Sequence, residues 1–316
     1  MQATQRGDMP WAHSLERIGI VGYGEVGRIF AAGLRHCGVN DLAAWDLKFA
    51  APDQSPAEPL AHARAAGVHA ADSVAALCAG RQLILSAVTA SNTLAVAEAV
   101  APHIAPGAFF LDLNSASPGT KQQAAALIEA RGGRYVEAGV MTSVAPYGIA
   151  VPMLLGGPHA AALAPVLQAY GMDATPVSDQ WGVASAIKMC RSIMIKGLEA
   201  LVVESYATAR QYGVEDHVLP TLAETFPSID WNQQGRYFFS RVVQHGQRRA
   251  EEMRESARTV QEAGMAPVMA SAIADKQQWV ADLARAGVFA DLPKDARWQD
   301  YADKLLTGLR KQAPDR

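Results

Sequence analysis

The sequence predicts an α/β domain with a doubly wound sheet, followed by an all-helical domain. Short apolar runs alternate with Ala-rich amphipathic stretches from Arg17 to about Val177. A glycine triplet, "GYGEVG" at residues 22–27, stands directly after the first of those runs. Beyond Trp181 the strand pattern stops and only helical periodicity continues.

The predicted strands, in order, are "RIGIV", "DLAAW", "GVHA", "LILSAV", "AFFLDL" and "RYVEAG", then "AVPMLLGG" and "DATPV". Between them lie helical stretches such as "EVGRIFAAGLRHCG" and "SPGTKQQAAALIEARGG". In the second, Ser117 is suited to cap the helix and Pro118 to open it. Gly38, Gly67 and Gly132 supply stop signals. Strands alternating with helices in this way imply a mostly parallel sheet covered on both faces. After Trp181, "GVASAIKMCRSIMIKGLEALVVESYATARQYG" reads as one long helix, interrupted only at Gly197. Its apolar positions occupy more than one face, which implies burial between domains or subunits and a homodimer formed through the helical domain. Turns are expected near Pro220, Pro227, Gly264–Pro267 and Pro293. The expected organisation is therefore a loosely ordered tail at 1–14, a sheet domain at 15–180 and a helical domain at 181–316.

Half of the 316 residues are hydrophobic and 19% are charged, the composition of a globular chain. A net charge of −3 with scattered arginines gives no footprint for nucleic acid. Cys37, Cys78 and Cys190 are too far apart for a metal site, so no metal and a reducing, cytoplasmic setting are expected. No apolar run approaches the roughly 18 residues of a membrane span, and the opening "MQATQRGDMPWAHSLE" lacks the apolar core of a signal peptide.

Gly22-Tyr23-Gly24-Glu25-Val26-Gly27 is a GxGxxG between a strand and a helix. In the Rossmann-type fold the first glycine makes the turn, the second admits a pyrophosphate to the backbone, and the third packs helix on strand. The free N–H groups of the helix N-terminus then face the phosphates. Asp46 ends the second strand about 20 residues on, placed to bind ribose hydroxyls. A carboxylate there disfavours a 2′-phosphate, so NAD is expected, with neighbouring Lys48 leaving NADP open. Val88 and Thr89, at the end of the fourth run, complete the expected cofactor lining.

The chain resembles the β-hydroxyacid dehydrogenase family, which includes 3-hydroxyisobutyrate and 6-phosphogluconate dehydrogenases. "GYGEVGRIFAAGL" is similar to that family's GxGxMGxxMAxxL, with Val26 in place of Met. "DLNSASPGT" corresponds to its D-x-S-T-x-x-P and G-G-N-S segments, which implies that Asn114 and Ser115 lie beside nicotinamide and substrate. "EAGVMTSVAPYG" stands in place of the substrate loop D-A-P-V-S-G-G. There Thr142 and Ser143 replace glycines whose N–H groups meet a substrate carboxylate, and hydroxyl donors are the alternative. "WGVASAIKMCRS" matches GxGxxxKxxxN, in which the lysine is the acid/base; here it is Lys188, with Ser192 replacing the asparagine and Arg191 beside it. The helical part, with "RRAEEMRESARTVQEAGMAPVMA", resembles the C-terminal domain of 6-phosphogluconate-dehydrogenase-like proteins of uncharacterised function.

The resemblance implies an NAD(P)-dependent oxidoreductase acting on a small β-hydroxy acid or its semialdehyde. Hydride transfer from an alcohol leaves a hydroxyl proton for the protein to remove. A free lysine, with pKa about 10.4, is a poor base at neutral pH, but an apolar cleft and a nearby cation lower that value. Ala184, Ile187 and Met189 supply the first condition and Arg191 the second. Arg191 and Ser192 are also suited to hold a substrate carboxylate. The bland alternative has Lys188 reaching to the surface or pairing with Glu199 or Glu204 of another subunit. The altered loop leaves open an imine or other carbonyl reductase, or a nicotinamide-binding sensor without turnover. Trp231, Arg236, Tyr237, Phe238 and Phe239 form either a pocket wall or helical core. Arg248 and Arg249 have at most an anion contact.

Overall fold

The computed structural model describes residues 15–49 and 58–312, with side chains to 308. The expected tail at 1–14 lies outside them. Two compact units divide between Lys188 and Met189.

The first unit holds eight strands: β1 (Arg17–Val21), β2 (Asp41–Trp45), β3 (His69–Ala70), β4 (Leu83–Ser86), β5 (Phe109–Asp112), β6 (Arg134–Val140), β7 (Met153–Gly156) and β8 (Ala174–Ser178). Every apolar run named above overlaps one. They form a single sheet in the order β3-β2-β1-β4-β5-β6-β7-β8. All neighbours pair in parallel except β6 and β7, which are antiparallel. Connections run through α1 (Glu25–His36), α2 (Glu58–Ala65), α3 (Val74–Cys78), α4 (Thr93–Val100), α5 (Pro118–Glu129) and α6 (Ala160–Ala169).

Alternate strand residues feed two cores. Ile18, Ile20, Leu83, Leu85, Phe109 and Leu111 pack to one side, and Ala43, Ile84, Phe110 and Tyr135 to the other. Burial on both faces is why these strands read as continuous apolar runs. Ser117 caps α5 as expected, accepting from the Thr120 N–H at 3.3 Å. The chain leaves β1 toward β2 and β3, then returns to lay β4 on the opposite side of β1. This reversal opens a crevice at the carboxyl ends of β1 and β4, the place where such sheets bind ligands.

The second unit contains most of α7 (Val183–Tyr212), then α8 (Glu215–Thr225), α9 (Trp231–Glu262), α10 (Val268–Arg285) and α11 (Trp298–Gln312). Two expectations are corrected here. Gly197 does not interrupt α7: a Cβ there would lie 3.2 Å from Ile273 Cδ1, so the residue lets α10 approach closely. Pro220 does not make a turn but sits inside α8. The carbonyl it deprives of a partner belongs to exposed Asp216, where water can serve. Trp231 and Phe239 join Tyr206, Trp298 and Tyr301 in the core of this unit, while Arg236 and Tyr237 are exposed. Met194, Leu198 and Leu201 of α7 are exposed apolar side chains.

The units part inside α7, eight residues beyond the expected boundary at 180. The first turns of that helix belong with the sheet because β6 holds them.

Candidate active site

The glycine loop follows β1 directly. Gly22 has φ +91°, and a Cβ on it would lie 2.4 Å from the Ala87 carbonyl oxygen, closing β1 against the end of β4. A Cβ on Gly27 would lie 2.0 Å from the Gly22 carbonyl oxygen, so α1 packs on the loop without a side chain between. Gly24 differs: it is exposed, and a Cβ there would meet nothing within 4 Å. Two glycines are thus required by the protein's own packing, and the third leaves open space above the loop. That is the cradle a dinucleotide pyrophosphate fits.

Asp46 is oriented by two main-chain donors. Its Oδ2 accepts from the Tyr23 N–H at 2.7 Å and its Oδ1 from the Lys48 N–H at 2.9 Å. The Tyr23 side chain points inward, packs on Phe49 and lies 3.2 Å from His62 Nδ1 through its hydroxyl. Burial raises the pKa of this phenol, and the Arg28 guanidinium partly opposes the shift. Tyr23 therefore contributes its backbone and a packed ring. Val26 is half-buried, packed against the core beneath, and Glu25 is exposed at the first turn of α1.

Asn114, after β5, is buried and accepts from the Val88 N–H at 2.7 Å while donating to Ser86 Oγ at 2.8 Å. Its amide thus clamps the ends of β4 and β5 together. Thr89, beside Val88, is exposed. Ser115 is half-buried, and Lys188 Nζ donates to its hydroxyl at 2.5 Å. This joins two expected site residues 73 positions apart in sequence.

The remaining expected residues are less gathered. Thr142 is exposed and Ser143 half-buried on the loop after β6. On α7, beyond the division between units, Arg191 is exposed and Ser192 is buried, its hydroxyl accepting from Lys196 Nζ at 3.1 Å. Within the chain, Glu199 pairs with Arg249 and Glu204 with Lys276. Arg249 is therefore held in a buried ion pair.

Sequence reasoning missed the support beneath Asn114. Asp112 is fully buried; its Oδ1 accepts from the Asn114 N–H at 2.9 Å and pairs with Lys121 Nζ at 2.9 Å, and its Oδ2 accepts from the Tyr135 hydroxyl at 2.6 Å. Burial first, then the Asp112 charge, pushes the Tyr135 phenol well above its ordinary pKa, so it remains a donor. A signal was present: Lys121 shares the helical stripe of Ala124, Ala125 and Ile128, and a lysine on a buried stripe needs a buried acid. Among the described residues no group of three or more His, Cys, Asp or Glu is placed to hold a metal ion.

Residues 17–180 match the model of the NAD binding domain of 6-phosphogluconate dehydrogenase, and residues 209–280 match a domain of unknown function (DUF1932). A conserved hypothetical protein from Sinorhizobium meliloti 1021 is 35% identical, covering 95% of this chain and 99% of its own, with a TM-score of 0.75. The conserved protein MTH1747, of unknown function and described as structurally similar to 3-hydroxyacid dehydrogenases, is 30% identical, covering 85% of this chain and 98% of its own, with a TM-score of 0.66. Two more distant structures share the fold. One is a Mycobacterium tuberculosis 3-hydroxyisobutyrate dehydrogenase with L-serine, 18% identical over 92% of this chain and 99% of its own, with a TM-score of 0.62. The other is an Aspergillus terreus reductive aminase with NADPH and ethyl levulinate, 20% identical over 93% of this chain and 99% of its own, with a TM-score of 0.53.

Proposed function

The chain belongs to the family defined by the NAD binding domain of 6-phosphogluconate dehydrogenase, and from that premise we propose an NAD(P)-dependent oxidoreductase acting on a small β-hydroxy acid or its semialdehyde, with Lys188 as general acid/base. The observation that carries the reading is the 2.5 Å hydrogen bond from Lys188 Nζ to Ser115 Oγ, made at the carboxyl-terminal end of the sheet. A nicotinamide cofactor supplies the hydride chemistry. Lys188 donates a proton to the substrate oxygen in reduction and takes it back in oxidation. An ammonium carries donors only, so Ser115 accepts from Lys188 and its own hydroxyl proton is turned toward an incoming oxygen. Thr142 and Ser143, on the loop after β6, are the proposed contacts for a substrate carboxylate.

The carboxylate of Asp46, held by two main-chain N–H groups, supports NAD over NADP, because a 2′-phosphate would meet a fixed negative charge. The exposed apolar side chains of Met194, Leu198 and Leu201 support a homodimer through α7. Three free cysteines, and no described helix long and apolar enough to cross a membrane, fit the proposed cytoplasmic setting.

The test is a panel of β-hydroxy acids with NAD⁺ and NADP⁺, run beside cyclic imines with NADH and NADPH, on the full chain and on Lys188→Ala. Turnover of an acid, with kcat lowered about 10²–10⁴-fold in the variant and NADH affinity unchanged by calorimetry, is expected. Turnover surviving within a few-fold would refute the acid/base role. A second reading, an imine or other carbonyl reductase, is favoured by Thr142 and Ser143 replacing the glycines of the carboxylate loop, and activity confined to imines would establish it.

A further inference from the structure

We propose that Glu137 is the positioning residue for Lys188, a role that rests on the acid/base reading above. Glu137 is fully buried on β6. Its Oε1 accepts from the Gly182 N–H at 2.7 Å and the Ala184 N–H at 3.0 Å, and its Oε2 accepts from the Ser185 hydroxyl. All three donors are neutral; Gly182 lies just before α7, and Ala184 and Ser185 in its first turn. A buried carboxylate at a helix N-terminus is stabilised by the unsatisfied N–H groups and the positive end of the helix dipole.

This arrangement replaces something the local sequence lacks. Gly182 precedes α7, and "WGVAS" offers no Ser, Thr, Asp or Asn side chain before the first turn. The cap comes instead from a strand 45 residues earlier. Two glycines make room for it. A Cβ on Gly156 of β7 would lie 2.3 Å from Glu137 Oε1, and a Cβ on Gly139 would lie 2.9 Å from the Ala184 carbonyl oxygen and 3.6 Å from Lys188 Cβ. The segment entering α7 is held as well, since Gln122 Nε2 donates to the Trp181 carbonyl oxygen at 3.2 Å.

Lys188 stands three residues beyond Ser185, about 4.5 Å further along the helix axis. A slide or rotation of the opening turn therefore moves the Lys188 backbone with it and shifts Nζ relative to Ser115. The clamped turn and Lys188 both fall in the first compact unit. The lysine and the glycine loop thus belong to the same compact unit.

Glutamine separates geometry from charge at this position: its oxygen can accept both main-chain N–H groups and its amide can donate to Ser185. The experiment measures kcat, KM and NADH affinity for Glu137→Gln, Glu137→Ala and Gly156→Ala, on the panel acid of highest kcat/KM, beside Lys188→Ala. Glu137→Ala is expected to lower kcat about 10²-fold, the effect of misplacing a catalytic group by about 1 Å, with NADH affinity unchanged. Glu137→Gln is expected to recover most of that loss. Gly156→Ala, which presses on the carboxylate without removing it, is expected to lower kcat in the same sense and keeps the test open if Glu137→Ala fails to fold. Wild-type kcat in both the Ala and Gly156 variants, or a loss in the Gln variant as large as in the Ala variant, overturns the proposal. If Lys188→Ala retains turnover, the acid/base reading itself fails. If Lys188→Ala is inactive while Glu137→Ala is unimpaired, only the clamp fails.

Discussion

The first unit sets its buried carboxylates on strands, Asp112 at the end of β5 and Glu137 beside it in β6, whereas the second strings its buried charges between two helices. In the first, Asp112 gathers Lys121, Tyr135 and the backbone of Asn114, and Glu137 gathers the opening of α7. In the second, Glu199 and Lys196 of α7 pair with Arg249 and Glu252 of α9, the latter at 2.7 Å. Gln277 Nε2 reaches Glu199 at 3.4 Å while its Oε1 has no hydrogen-bond partner among the described residues. Buried ions cost desolvation in either place. The difference is what they hold: loops that carry candidate site residues in one unit, and the register of one helix against another in the other. Disturbing the first set should change catalysis, and disturbing the second should change stability.

The largest effect that tests this contrast belongs to Arg249→Ala. It strands the Glu199 carboxylate in the helical core, and about 3–5 kcal/mol of unfolding free energy should be lost, read from the urea midpoint. NADH affinity should remain unchanged; a loss of cofactor binding with stability intact would break the contrast. Tyr135→Phe should cost less, about 1–3 kcal/mol, because Asp112 keeps Lys121 and loses one donor. It should also lower turnover on the panel acid by loosening the Asn114 loop, and a variant of unaltered kinetics would show that the Asp112 cluster is only structural. The smallest effect is chemical. Burial pushes the Cys78 thiol up to about 12, so at pH 8 it remains protonated and should resist a thiol reagent until the chain unfolds, whereas Cys37 is exposed and should react in the folded protein. Rapid labelling of Cys78 would show that the first core opens more readily than its packing implies.

Much of the first unit was legible because its constraints are local. Gly22 and Gly27 act within a six-residue loop, one through a positive φ and the other through contact with the Gly22 carbonyl. Apolar runs became strands because burial on both sheet faces leaves no polar alternation to confuse with a helix. Lys188 and Ser115 were each legible from motif spacing, although their meeting was not. The helical unit was less legible at its breakers. Gly197 and Pro220 are interruptions by propensity, but a close helix neighbour excuses the first and solvent the second. The Trp231–Phe239 cluster was ambiguous because aromatic residues at helical spacing serve core and pocket equally well.

By itself the sequence determined the eight-stranded sheet, the glycine cradle, the family and the helix that presents Lys188. It could do so because propensity, hydrophobic period and backbone freedom act between residues close in the chain. Tertiary structure alone decided that Asn114 clamps two strands, that Asp112 rests on Lys121 and Tyr135, and that Glu137 caps a helix 45 residues away. Those choices pair buried polar groups across the fold. Which donor meets which acceptor is set by strand order and register, and no stretch of chain short enough to read contains both.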